Sequence, residues 1–487
     1  MTTGSHHYQT YWVNSPRYPG LLQTLPLVYL IEDKRWIPRE TAFMRGPDDV
    51  GRFVTQWNHH CIRCHSTGGN PGLDEKSGKL ETRVGELGIS CEACHGPAQQ
   101  HVELQRALLK NPGLVGRHDP ITNPKKLDHR KSSETCGQCH GVFIFRDEFA
   151  MQSAREGPLF KPGEDLHRAR YYIQHPTETS PPDRQEDLRR NPKFFEERWW
   201  EDGTILAGGR EFTALSASAC YTRGEVSCLS CHSMHNSDPN DQLKRFASDN
   251  AQCTQCHTGA KFNSELSRHT FHRGESSGSN CLNCHMPHTT YALFKGIRSH
   301  QITSPGITAS ARHGVPNACN LCHLDKTLDW TQRHLKERYA RVEIPLSEEQ
   351  KTISAALLWS IKGHAAKRAI AAWHFGWQPA QEASGKDWIA PFAASLLEDP
   401  YGVVRYVTAR SLRTLPDYAK FDYDFLGKPD TLKRQAQAVI TLWSANQSTN
   451  ATKGASAILM DAQGRLQHDV LARLLSGRDN RSVTIKE

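Results

Sequence analysis

Seven Cys-x-x-Cys-His motifs are the feature of this sequence with the clearest chemistry. Fourteen of the fifteen cysteines fall into pairs separated by two residues, and a histidine directly follows each pair. The cysteine pairs are Cys61/Cys64, Cys91/Cys94, Cys136/Cys139, Cys228/Cys231, Cys253/Cys256, Cys281/Cys284 and Cys319/Cys322. The histidines are His65, His95, His140, His232, His257, His285 and His323. Two thiols at this spacing reach the two vinyl groups on one edge of a porphyrin, and the adjacent imidazole binds the iron, so each motif predicts one covalently attached haem c.

Paired cysteines also occur in zinc sites, but those sites do not require histidine as the very next residue. The chain has 26 histidines among 487 residues. A given position is therefore histidine about one time in twenty, and seven successes in seven by chance are on the order of one in a billion. The spacing favours seven haem c groups over zinc.

The second axial position of each iron must be filled from elsewhere in the chain. Nineteen histidines lie outside the motifs, whereas there are only six methionines, of which Met234 and Met286 stand too close to their own motif histidine to reach across that haem. Bis-histidine ligation is therefore favoured, and it implies lower reduction potentials than methionine–histidine ligation. The candidate distal ligands are His60, His101, His175, His235, His272, His288, His300 and His313. A histidine close to its own motif is expected to serve a neighbouring haem, and an ordinary surface position is the alternative for each candidate.

Cys220 is the cysteine outside the pairs and stands eight residues before Cys228. We expect it to be a small buried hydrophobic residue. A reactive thiol or an intermolecular disulfide is the alternative.

Composition bears on location and partners. The mean hydropathy is −0.63. The sequence contains no run of about 18 uncharged apolar residues, so it predicts no transmembrane segment. The net charge is +8, but each haem adds two propionates, so the charge predicts no nucleic acid partner. Haem c is attached outside the cytoplasm, and a periplasmic or cell-exterior protein is expected. The first residues have neither the basic nor the apolar region of an export signal, so we expect the signal, or a longer N-terminal piece with another haem motif, to be missing from this chain.

The elements that position the motifs fall into four segments by composition. Residues 1–58 contain no motif and predict a β-hairpin over 25–39, where apolar and polar residues alternate around a charged tetrapeptide. Residues 59–325 form a heptahaem cytochrome c domain with one motif per roughly 38 residues, so porphyrins must replace much of an ordinary core. Residues 326–350 predict a connecting helix. The expected fold class is mainly α with much loop.

Short amphipathic helices in series are predicted for residues 351–487. Apolar stripes at helical spacing run through residues 353–361, 432–443 and 466–474. Asp399 followed by Pro400 predicts an N-cap that opens a helix over 401–413. The pattern resembles HEAT repeats, which implies an α-solenoid docking surface. A helical cap that merely covers haem edges is the alternative.

Two segments resemble a superfamily of multihaem cytochromes. Residues 88–101 are similar to a haem segment of the tetrahaem cytochromes of ammonia oxidisers, and this resemblance implies that the trailing His101 is a distal ligand. Residues 281–288, together with Lys295 and residues 299–305, are similar to the pentahaem nitrite reductases and octahaem hydroxylamine oxidoreductases, which makes His300 the strongest distal candidate. The resemblance covers residues 59–325. Pentahaem nitrite reductases usually carry Cys-x-x-Cys-Lys at the catalytic haem, whereas all seven motifs here end in histidine, and this difference weakens a nitrite-reductase interpretation.

Three functions follow from these patterns. The first is conduction of electrons between respiratory partner proteins through closely packed, mostly bis-histidine haems. The second is a multihaem oxidoreductase that acts on a small nitrogen or sulfur compound at one five-coordinate haem. The third is a structural subunit of a larger cytochrome assembly, in which the helical segment forms a homo- or hetero-oligomer. An open distal position would distinguish the second from the first, and the sequence assigns no catalytic residue.

Overall fold

A computed structural model of the chain describes residues 1–4, 7–46, 55–114, 118–178, 180–238, 241–245, 249–291, 294–446 and 455–485. The chain forms two compact units. The first contains Met1–Arg39, Arg52–Gln174 and Gly209–Ser248, and the second contains Glu40–Gly51, His175–Gly208 and Asp249–Glu487. Four motifs therefore lie in the first unit and three in the second. The boundaries predicted from composition, at residues 58, 325 and 350, stay predictions.

The N-terminal segment of the first unit forms a four-stranded antiparallel sheet. Its strands, in spatial and chain order, are Thr2–Thr3, Tyr8–Asn14, Leu22–Leu30 and Arg35–Pro38. The predicted hairpin is confirmed, because Leu30 pairs with Arg35 and residues 31–34, which include three of the four charged residues, form the turn. Trp12 of the sheet packs edge-on against Trp57, with ring centres 5.5 Å apart, and both contact the fully buried Ile62. Ile62 lies inside the first motif, so this apolar cluster fixes the motif to the sheet.

The rest of the first unit consists of short helices and two small strand pairs. Its α-helices are Ile62–His65, Cys91–His95, Gln99–Lys110, His129–Gly137, Asp147–Glu156, Glu211–Ser216, Ala219–Thr222 and Cys228–Cys231. A π-helical turn spans Trp57–Cys61, and 3-10 turns span Pro112–Leu114 and Pro124–Lys126. Strand Ser66–Thr67 pairs with Glu86–Leu87, and Phe143–Phe145 pairs with Arg170–Tyr172. The short helix Arg39–Ala42 spans the point where the chain leaves this unit.

The second unit is mainly helical. Its α-helices before residue 340 are Pro182–Arg190, Pro192–Glu196, Ala251–Thr254, Leu266–Thr270, Cys281–His285, Thr308–His313, Ala318–Cys322 and Leu328–Tyr339. Those that follow are Glu348–Thr352, Ala355–Ile361, Ala365–Phe375, Gln378–Ser384, Ile389–Leu396, Gly402–Leu412, Pro429–Asn446 and His468–Ser476. The 3-10 turns are Ala260–Phe262, Ser277–Ser279, Pro416–Tyr418 and Ala455–Ile458. Strands His288–Tyr291 and Lys295–Arg298 form an antiparallel pair.

The C-terminal helices carry the apolar core of the second unit. Helix Ala365–Phe375 packs against both Ala355–Ile361 and Gly402–Leu412. The three predicted apolar stripes lie largely within helices. Their resemblance to HEAT repeats stays a prediction.

Asp399 does not cap a helix in the way the sequence predicts. The helix begins later, at Gly402, after Tyr401. The Asp399 carboxylate accepts hydrogen bonds from the Arg368 guanidinium, at 2.6 Å from Nε, and both side chains are at most 1% exposed. Its Oδ1 also accepts a hydrogen bond from the Tyr401 N–H at 2.9 Å. The carboxylate therefore binds the backbone just before the helix and a buried cation together, and the cation compensates a charge that would be costly in the core without a partner.

Among the described residues, no helix is long and apolar enough to cross a membrane.

Candidate haem sites

Each motif is folded around a single helical turn. In four of them the backbone N–H of the histidine donates to the carbonyl of the first cysteine, at 2.7–3.0 Å. These four histidines are His140, His232, His257 and His323. An i to i+4 bond of this kind places the first cysteine and the histidine on the same side of the turn. The local backbone therefore gathers two thiols and one imidazole, as the motif chemistry requires.

All fifteen cysteines lie in the described part of the chain, and none forms a disulfide. Cys220 is partly buried in helix Ala219–Thr222, and its expected role as a small hydrophobic residue stays a prediction.

The predicted attachment cysteines differ in exposure, which the motif pattern does not indicate. Cys91 and Cys256 are exposed, whereas the other twelve are partly buried. Cys256 directly follows the short helix Ala251–Thr254 and Gln255, and its N–H donates to the Cys253 carbonyl at 3.2 Å. A thioether needs to reach only a vinyl group at the porphyrin edge, so exposure is compatible with attachment. Attachment at Cys256 stays a prediction.

Three motif histidines face a histidine from outside the motifs at a nearly constant separation. The pairs are His95 with His235, His285 with His269 and His323 with His272, with ring centres 6.1, 6.2 and 6.0 Å apart and ring planes inclined by 19°, 0° and 26°. This separation is too long for rings in van der Waals contact. Two imidazoles bound to opposite sides of one metal ion through bonds of about 2 Å have ring centres about 6 Å apart. The three pairs therefore have the spacing of axial ligands.

The sequence predicted His235 and His272 among the distal candidates but missed His269. His269 lies in the last turn of helix Leu266–Thr270, and His272 follows it by three residues. The spacing of His269 and His272 was the signal in the sequence that could have found His269, since two histidines three residues apart can serve two different sites. The structure indeed places each opposite a different motif histidine.

The ring orientation of several motif histidines is fixed by backbone carbonyls. The Nδ1 atoms of His95, His232 and His285 bond to the carbonyl oxygens of Thr122, Asp241 and Thr303 at 2.7, 3.1 and 2.8 Å. A carbonyl only accepts hydrogen bonds, so Nδ1 carries the proton and Nε2 keeps the lone pair that binds a metal. At His323, burial and the neighbouring His272 lower the pKa to about 4, which also keeps the ring neutral.

His140 differs in its partner. Its Nδ1–H donates to the Glu211 Oε2 at 2.7 Å. The hydrogen bond to this carboxylate raises the pKa of His140 to about 9. His140 is thus held by a charged acceptor, whereas the three histidines above are held by neutral carbonyls.

Other predicted distal candidates also have an engaged Nδ1. His101 bonds to the Asp119 carboxylate at 2.7 Å, His175 to the Pro176 carbonyl at 2.7 Å and His300 to the Arg298 carbonyl at 3.1 Å. Their rings are oriented as metal-binding imidazoles are. Their role as distal ligands stays a prediction.

The remaining candidates have different surroundings. His60 is exposed, beside His59 with ring centres 6.5 Å apart. His313 ends helix Thr308–His313, and its carbonyl accepts from Lys367.

His288 is enclosed by aromatic rings. Trp373, Trp377 and His374 lie with ring centres 4.4, 5.1 and 5.4 Å from it. Burial lowers the pKa of His288 well below its usual value, and burial lowers that of His374 to about 3. Both rings are therefore neutral at physiological pH.

In the first unit, the third motif touches two others through its cysteines. The Cys64 Sγ lies 3.9 Å from the Cys139 carbonyl oxygen, and the Cys139 Sγ lies 3.9 Å from the carbonyl oxygen of Arg63 in the first motif. The Cys136 side chain lies against the Cys228 side chain of the fourth motif, and helix His129–Gly137 packs against helix Cys228–Cys231. These contacts bring the attachment points of three motifs together.

The third motif also contacts the second. The Gln138 side chain donates to the Ala93 carbonyl at 2.9 Å, and each of these residues lies between the two cysteines of its motif. Residues 136–140 therefore adjoin the first, second and fourth motifs at once, and we call them the branching motif.

In the second unit, the sixth motif holds the corresponding position. Its Cys281 side chain lies against the Cys253 side chain of the fifth motif. Its helix Cys281–His285 packs against helix Ala318–Cys322 of the seventh motif. The three motifs of this unit are thus contiguous.

These observations test whether the residues fit covalently bound haem. The paired thiols are unbridged, an imidazole follows each pair, and three of those imidazoles face a second one across a gap the size of an axially ligated iron. The donor set is that of bis-histidine haem c. The residues fit the group.

Three parts of the chain match described protein families. Residues 47–96 match cytochrome c554 and c-prime, residues 221–262 match the doubled CXXCH motif, and residues 263–372 match cytochrome c552. Six motifs lie in these matches, and the branching motif lies between them. No curated protein is significantly similar in sequence.

Among solved structures, the outer cell wall cytochrome OcwA is similar at 17% identity and a TM-score of 0.43, over 84% of this chain and 86% of that one. The family matches and the six motifs they contain assign residues 47–96 and 221–372 to multihaem c-type cytochrome families, which carry covalently bound haem c.

Proposed function

We propose that this cytochrome conducts electrons between respiratory partner proteins outside the cytoplasm, through seven haem c groups that are mostly bis-histidine ligated. The observation that carries the proposal is the set of three histidine pairs with ring centres 6.0–6.2 Å apart. Six-coordinate iron changes its charge without exchanging ligands, which suits an electron carrier.

The proposal assigns distal ligands to three motifs. His235 serves the iron of His95, His269 that of His285, and His272 that of His323. Haem c, when bound, supplies an iron that accepts and releases single electrons. At these three motifs the chain's own residues would hold the iron between two oriented imidazoles.

The contacts among motifs support an order for the sites. In the first unit, the branching motif adjoins the first, second and fourth motifs. In the second unit, the sixth motif adjoins the fifth and seventh. Electron tunnelling falls exponentially with distance, so neighbouring attachment points favour rapid exchange. We propose that electrons are distributed within each unit through these two motifs.

Haem number and ligation are tested on the purified holoprotein. Intact mass should exceed that of the polypeptide by seven haem groups. Electron paramagnetic resonance of the oxidised protein should show mainly low-spin iron, and the reduced protein should bind little carbon monoxide.

Two results would contradict this proposal in different ways. A mass gain below seven haems would refute the number. A strong high-spin signal with stoichiometric carbon monoxide binding would instead favour the multihaem oxidoreductase, because substrate needs an open axial position.

A further inference from the structure

The branching motif has a charged group behind its proximal histidine. The Nδ1–H of His140 donates to Glu211 Oε2 at 2.7 Å. His95 and His285 donate instead to backbone carbonyls. A carboxylate hydrogen-bonded to a metal-binding histidine raises the basicity of that ligand. The pairing therefore bears on the electronic properties of the site.

Glu211 is firmly held in this position. Its other oxygen, Oε1, accepts from the Gly209 N–H at 2.8 Å. The next residue, Phe212, donates its N–H to the His140 carbonyl at 2.9 Å. Only 21% of the Glu211 side chain is exposed. The carboxylate is thus fixed at both oxygens rather than sampling solvent.

Side-chain packing holds the branching motif and the segment that carries Glu211 against each other. The Phe212 side chain is 2% exposed and lies against Gly137 of the motif, where a Cβ would come within 2.7 Å of its ring. The Thr213 Oγ1 accepts from the Val142 N–H at 2.8 Å. Glycine at position 137 therefore permits the close approach that brings Glu211 to the imidazole.

The physical consequence concerns the charge on the metal. Electron density donated through the imidazole stabilises the more positive, oxidised state of the iron that His140 binds. The partly buried carboxylate adds a negative charge just beyond the ring, which acts in the same direction and is screened less than a surface charge. Both effects make the site harder to reduce.

We propose that Glu211 is a positioning residue that lowers the reduction potential of the haem attached at Cys136 and Cys139. The haem at the branching motif adjoins three others in its unit, and its low reduction potential would favour transfer of its electron to them. This inference rests on the proposed function, in that it takes a haem to be bound there.

The test compares reduction potentials of the holoprotein and its Glu211→Gln variant by anaerobic spectroscopic titration. The amide keeps the shape of the side chain but removes its charge. We expect one haem to become easier to reduce, with its reduced-to-oxidised ratio at fixed potential raised by at least about tenfold, which is 59 mV for a one-electron couple. The matched control is Glu75→Gln, which removes a carboxylate of the same unit that pairs with Arg155. The control should leave every midpoint unchanged.

If the amide variant fails to assemble, Glu211→Asp provides the second test, since it retains the charge but withdraws it from the ring, and we expect a smaller shift of the same sign. A full haem count with all midpoints unchanged in the variant that assembles would overturn the inference. That outcome is distinct from failure of the proposed function, which a low haem count in the unaltered protein would reveal.

Discussion

Replacing His269 with alanine should open one axial position and leave the others intact. The ring centres of His269 and His285 are 6.2 Å apart, and the two ring planes are parallel. Half of that separation, less about 1.1 Å from ring centre to nitrogen, gives a nitrogen-to-metal distance of about 2 Å, which is an ordinary coordination bond. Alanine removes one of the two donors completely, so the expected change is a single iron converted from six- to five-coordinate.

The assay is a stoichiometric one. The oxidised His269→Ala variant should gain one high-spin iron per chain by electron paramagnetic resonance, and the reduced variant should bind one additional carbon monoxide per chain. The haem count should stay at that of the parent protein, because the thioether bonds and His285 are untouched. His468→Ala is the matched control, since His468 is an exposed histidine of the same unit at the start of helix His468–Ser476.

The reasoning would be refuted by a variant with its full haem content but without a new high-spin signal and without additional carbon monoxide binding. In that case the 6.2 Å separation would reflect packing of two rings and not a shared metal. An equal response in His468→Ala would point to general loosening of the fold.

Three further predictions concern stability. Arg368→Met should lower the free energy of unfolding by about 3 kcal/mol, measured by urea titration, because it leaves the fully buried Asp399 carboxylate without its main counter-charge; an unchanged midpoint would contradict this. Gly137→Ala should cost about 1–3 kcal/mol because the new methyl group meets the Phe212 ring, and Gly306→Ala, where a Cβ meets nothing within 4 Å, separates the clash from glycine loss in general. Acid should destabilise the second unit through His374, whose pKa in the folded protein, about 3, lies below its usual value of 6.5. As the pH falls below 6.5, the unfolded chain binds the proton first. The free energy of unfolding should therefore fall by about 1.4 kcal/mol per pH unit until the folded pKa is reached. The His374→Leu variant should show a shallower loss between pH 6.5 and 4, and parallel slopes would refute the assignment.

The sequence predicted the attachment chemistry because that chemistry is local. Two thiols and an imidazole within five residues need only one helical turn, and the backbone forms one at each motif. The N-terminal hairpin was predictable for the same reason, since alternation and a charged turn lie within fifteen consecutive residues.

The sequence pattern could not predict contacts between residues that are distant in the chain. The distance in sequence from His95 to His235 is 140 residues, and nothing in the residues between them encodes the encounter. Glu211 is 71 residues from His140, and an isolated glutamate has no motif to mark it. Asp399 looked like a helix cap because the competing Arg368 lies 31 residues earlier.

The peptide His269-Thr-Phe-His272 joins two sites with a span shorter than one full helical turn. Phe271 takes up a left-handed backbone conformation, with φ of +55°, and His272 Nδ1 bonds to the Thr270 carbonyl at 2.6 Å. This bend therefore places two imidazoles opposite two different motif histidines. If His269 and His272 ligate iron as proposed, one proteolytic cut or one substitution at this bend would disturb the haems of the sixth and seventh motifs together.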